Sequence, residues 1–116
     1  MRKRVWPPSP RAVSAAYKKT GLHPTRRMYT GHKNDTRLAC PLSAVVCAAG
    51  LTEQVFSSFA AGPISVPLIT CWLRAIGYDV ETGSVAEFIW GIDNGPGDEN
   101  STDYAAGCAV ARKLFG

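Results

Sequence analysis

Residues 41–50 read PLSAVVCAAG, and this stretch decides the fold. Pro41 suits the first position of a helix, where its missing N–H costs nothing. Leu42, Val45, Val46 and Ala49 recur at the helical period, while Ala44, Cys47 and Ala48 make the remaining faces apolar as well. A short helix that is apolar almost all round belongs inside a core. Gly50 is a natural stop.

Helical punctuation repeats on both sides of this segment. Upstream, Ser9-Pro10 offers a cap and a first helical residue. Val13, Ala16 and Tyr17 form one stripe, and Gly21 ends it. Downstream, Thr52 reads as the cap of a short helix with Glu53 in its first turn and Val55, Phe56 and Phe59 inward, ended by Gly62-Pro63. Leu68, Ile69, Trp72, Leu73 and Ile76 give the cleanest amphipathic stripe in the chain, closed by Gly77. Ser84-Val-Ala-Glu87 matches a capping box ahead of Val85, Phe88, Ile89 and Ile92. Ser101 caps a last helix whose inner face is Tyr104, Cys108, Ala111 and Phe115, and Gly107 allows a close approach to a neighbour.

Residues 25–38 lack the helical period. Two β-tolerant runs, Thr25–Thr30 and Thr36–Leu38, flank the polar Gly31-His-Lys-Asn-Asp35, so a short hairpin or an irregular loop is expected. The expected fold is therefore mostly α: a compact bundle of five to six short helices with one short β-hairpin near 25–38. Residues 1–8 read as a basic, Pro-rich, flexible arm, and 9–116 as a single helical domain.

At 116 residues with 46% hydrophobic and 19% charged residues, the composition is that of an ordinary globular chain. The net charge of +4 is unevenly laid out. Residues 1–37 hold ten Lys or Arg and one acid, Asp35, whereas residues 38–116 hold three bases and eight acids. No apolar run reaches the ~18 residues a membrane span requires. The basic start Met1-Arg-Lys-Arg4 is followed by Trp6-Pro-Pro rather than an apolar stretch, which argues against a secretory signal.

Four cysteines raise metal and disulfide readings. No C-x-x-C occurs, and Cys40 and Cys47 would lie roughly 10 Å apart along a helix, so neither reading is favoured. Cys47, Cys71 and Cys108 fall on inward faces, as reduced core thiols do in a cytoplasmic protein. Cys40 stands at a helix start, where a thiol pKa is lowered, and His23 or His32 would serve as its base in a small cysteine-dependent hydrolase or transferase. The simpler role for Cys40 is to cap the core helix. The run Asp93 to Asp103 is rich in oxygen ligands but misses the calcium-loop pattern, since Gly95 stands at a ligand position and no Glu is twelfth. No metal or cofactor is expected.

The basic third carries the strongest functional reading. Arg2, Lys3, Arg4, Arg11, Lys18, Lys19, Arg26 and Arg27 form the electrostatic footprint of a polyanion binder, with nucleic acid or an acidic protein face as partner. Trp6, Tyr17 and Tyr29 interleave with them and are candidates for stacking on bases. Two other expectations compete: the basic segment pairs with this chain's own acids, or it docks on the acidic half of a second copy in a structural assembly.

Overall fold

The computed structural model describes residues 3–60 and 66–116. Its helices are α1 (Pro10–Thr20), α2 (Pro41–Val46), α3 (Thr52–Ala60), α4 (Val66–Ala75), α5 (Thr82–Asp93) and α6 (Thr102–Phe115). A small sheet adds β1 (His23–Pro24), β2 (Thr30–Lys33) and β3 (Thr36–Ala39). The fold is mostly α with a short hairpin, as the periodicity indicates. The residues divide into two units, Arg11–Ser65 and a second made of Met1–Pro10 with Val66–Gly116.

In the Arg11–Ser65 unit the strand order is β1-β3-β2. β2 and β3 pair antiparallel, His32 opposite Arg37 and Lys33 opposite Thr36, and β1 runs parallel to β3. Asn34 and Asp35 make the two-residue turn, at φ 51° and 66°. A two-residue hairpin of the favoured hand needs positive φ at both central positions, and Asn and Asp accept it better than most residues. Gly31, His32 and Lys33, expected in the loop, are therefore strand residues.

α2 is the centre of this unit's core. Pro41 to Cys47 are all buried, with Leu42, Ser43, Ala44 and Val46 fully so. Gly50 (φ 106°) breaks the backbone within a π-type turn, Cys47–Leu51, that leads into α3. Thr52 does not cap α3 as expected. It has helical dihedrals, and its Oγ1 donates 3.3 Å to the Cys47 carbonyl, because Gly50 alone makes the break.

In the other unit, α5 and α6 cross at Gly91 and Gly107. A Cβ on Gly107 would lie 3.1 Å from the Gly91 Cα and closer still to the Phe88 carbonyl oxygen. Val85, Phe88, Ile92 and Val110 fill the surrounding core. Ser101 caps α6 as expected, its Oγ accepting from the N–H of Asp103 and Tyr104 at 3.2 and 3.3 Å. The capping box at Ser84 does not form. The cap of α5 is Glu81, because Arg74 donates to the Val80 carbonyl (2.8 Å) and to Glu81 (3.2 Å) and fixes the chain there.

The segment read as an arm is held along this unit. The Arg4 N–H donates to the Gly77 carbonyl at 2.9 Å, and Trp6 packs against Tyr78 and Phe88 (ring centroids 5.7 and 5.3 Å). The Trp6 indole N–H donates to Asp103 Oδ1 at 2.8 Å. No described helix is long and apolar enough to cross a membrane.

Candidate polyanion-binding surface

α1 positions the first set of cations. Val13, Ala16 and Tyr17 face inward and are buried, and Tyr17 Oη donates to the Ala39 carbonyl at 2.7 Å, tying the helix to the sheet. At 3.6 residues per turn, Arg11, Lys18 and Lys19 fall within an arc of about 100° on the opposite side. All three are exposed, with the small Ala15 between them and Ala12 at the edge. α1 carries no acid, and among the described residues none of the three cations has a carboxylate partner. Lys18 and Lys19 also sit in the last turn, where the helix dipole favours positive charge.

Within the Arg11–Ser65 unit, seven Lys or Arg oppose only Asp35 and Glu53, a net +5. Arg26 and Arg27 lie between β1 and β2, each engaged in an interaction of its own, with Arg27 held at φ 67°. Lys33 is exposed beside the hairpin turn. Of the remaining expected contacts, Lys3 is exposed and belongs to the other unit. Arg4 spends its Nε–H on the Ile76 carbonyl at 2.9 Å, closing the end of α4. Arg2 lies outside the described residues.

A second cationic group was not foreseen. The Arg37 guanidinium sits 4.7 Å from the centroid of the Phe56 ring, and the His32 imidazole meets the same ring edge-on at 5.9 Å. Glu53, one turn before Phe56 on α3, approaches Arg37 at 3.7 Å, a loose exposed pair. Sequence spacing gives no sign of this arrangement: the hairpin register brings His32 opposite Arg37, and packing of α3 on β2 supplies the ring.

Base stacking by Trp6 and Tyr17 is not supported by their placement. Trp6 is packed between two rings, and the Tyr17 hydroxyl and ring are buried, which also pushes its pKa upward. The candidate nucleophile Cys40 stands at the start of α2. Cys40 is buried and is the N-cap of α2: its Sγ accepts from the Ser43 N–H at 3.4 Å and donates to Ser43 Oγ at 3.3 Å. His23 and His32 are exposed strand residues, the first paired in register with Leu38, the second lying on Phe56.

Cys47 is buried, and loss of water contact pushes its thiol up to about 11. Cys71 is exposed, contrary to its expected inward position, because Ile69, Leu73 and Ile76 define the buried face and residue 71 falls outside it. Cys108 donates to the Gly91 carbonyl at 3.4 Å. In the acid-rich loop, Asp98 Oδ1 accepts from the Asn100 N–H and Glu87 accepts from the Asp98 N–H, both at 2.9 Å, so the carboxylates shape the turn. Among the described residues, no three His, Cys, Asp or Glu side chains come together as metal ligands. No known family model matches the chain, and no curated protein or solved structure is similar to it.

Proposed function

We propose that the Arg11–Ser65 unit is a non-enzymatic binding module for a polyanion. One observation carries the reading: Arg11, Lys18 and Lys19 share an exposed helix face with no acid partner among the described residues. An unneutralised row of cations holds counterions, and a polyanion that displaces them gains affinity from their release. Arg26, Arg27 and Lys33 add positive charge to the same unit. Four cysteines in the reduced state fit a reducing, cytoplasmic setting for such a module.

The test is fluorescence anisotropy of a labelled duplex oligonucleotide titrated with the protein between 50 and 200 mM salt. Affinity falls steeply with salt. The variant R11A/K18A/K19A binds more weakly and has a logarithmic salt slope smaller by about 2.7, from about 0.9 per phosphate contact. Absence of binding by the unaltered protein to duplex and to poly-glutamate at the lowest salt refutes the reading.

A further inference from the structure

The Arg37 guanidinium is held against a ring before any ligand arrives. Its guanidinium rests on Phe56, a buried ring, and makes no hydrogen bond among the described residues; its one ionic neighbour is Glu53 at 3.7 Å. A guanidinium presents a planar fork of N–H donors that matches two oxygens of a phosphate. His32 lies across the strand pair on the same ring, so two nitrogen-bearing groups are gathered within one small area. A side chain already confined by an aromatic ring loses less freedom when it binds.

We propose that Arg37, steadied by Phe56 and flanked by His32, is an anchoring site for one phosphate oxyanion. Arg37 supplies the paired donors, His32 the additional one, and Glu53 is the intramolecular competitor that the phosphate displaces. The inference rests on the polyanion reading and narrows it to phosphate chemistry. The burial of Tyr17 and the packing of Trp6 against Tyr78 and Phe88 leave those two rings poorly placed to stack on bases, which fits recognition of the backbone. A phosphate polymer carries an oxyanion at every step, so it can meet the α1 cations as well as Arg37.

The experiment compares the full chain with R37K and E53Q in the same anisotropy assay, and adds F56L with a thermal melt to verify folding. R37K keeps the charge and loses the fork, so affinity for the duplex falls several-fold. E53Q removes the competitor and strengthens binding by up to about fivefold, the range of an exposed ion pair. F56L weakens binding about two- to fivefold, as loss of a cation–π contact implies.

Titration with inorganic phosphate, followed through the His32 and Arg37 NMR signals, separates the sources: shifts with free phosphate identify a small oxyanion as sufficient, and shifts with oligonucleotide alone identify the polymer. Either supports the assignment. If the unaltered protein binds duplex with the expected salt slope while R37K and E53Q match it, the Arg37 site is refuted and the α1 reading stands. Poly-glutamate competing as well as duplex per unit charge overturns the phosphate assignment. No binding of any polyanion refutes the broader function.

Discussion

Replacing Gly107 with alanine separates two opposing forces in a single substitution. Alanine is favoured over glycine in a helix interior by about 1 kcal/mol, so on local grounds the change stabilises α6. The crossing opposes it. The added methyl would lie inside the van der Waals reach of the Phe88 carbonyl oxygen, 3.0 Å from the Ile92 nitrogen and 3.1 Å from the Gly91 Cα. All are backbone atoms of α5, which cannot rotate aside as a side chain would. Ordinary contact begins near 3.4 Å, so the helices must separate by about 1 Å, loosening Phe88, Ile92 and Val110 in a close-packed core.

Overpacking of this kind costs about 1–3 kcal/mol, and rigid neighbours place it at the upper end, for a net loss of about 2 kcal/mol after the propensity gain. The midpoint of thermal unfolding falls by roughly 10 °C. Urea unfolding followed by circular dichroism at 25 °C gives the free energy directly. Gly83→Ala is the control: nothing lies within 4 Å of its added methyl, and it stabilises by up to about 1 kcal/mol. A Gly107→Ala protein as stable as its parent, or more so, refutes the close-crossing argument.

Two further outcomes concern the buried thiol and the N-terminal segment. Burial raises Cys47 from about 9 to about 11, so in the folded protein it stays protonated where the unfolded chain ionises; stability is complete below pH 9 and declines as the pH rises toward 11. Urea midpoints between pH 8 and 10.5 report this decline. Iodoacetamide at pH 8.5 labels exposed Cys71 well before Cys47, and equal rates contradict the placement of Cys47. Trp6→Phe keeps an aromatic ring against Tyr78 and Phe88 and loses the indole hydrogen bond to Asp103, a cost of about 1 kcal/mol by urea unfolding. An unchanged midpoint means that the bond contributes nothing to the fold.

Local chemistry was legible wherever a residue's own backbone preference decides the outcome. Ser101 caps α6, Cys40 caps α2, Gly21 and Gly77 adopt positive φ at helix ends, and the apolar run from Leu42 to Cys47 is buried. Several misreadings share a cause: a distant partner overrides a local signal. Ser84 has the right neighbours for a cap, but Arg74 pins Val80 and Glu81 and starts α5 earlier. Tyr17 and Trp6 read as candidates for stacking on bases until Ala39, Tyr78, Phe88 and Asp103 claim them.

The site divides along the same line. Arg11, Lys18 and Lys19 share a face by helical spacing alone, which the sequence contains. The grouping of Arg37, His32 and Phe56 depends on a strand register and a helix packed on it, and neither follows from the order of residues.

The way the two units use the chain has a consequence for synthesis. The Arg11–Ser65 unit is one uninterrupted segment, whereas the other is assembled from both sides of it. A chain emerging in order completes the cationic segment first. Arg4 waits for Ile76 and Gly77, and Trp6 waits for Asp103, 97 residues later. Until then the N-terminal strap, with its indole, has no place to dock. The inner unit is thus an insertion within its host, able to mature as a nascent body while the host stays open until Asp103 has been made.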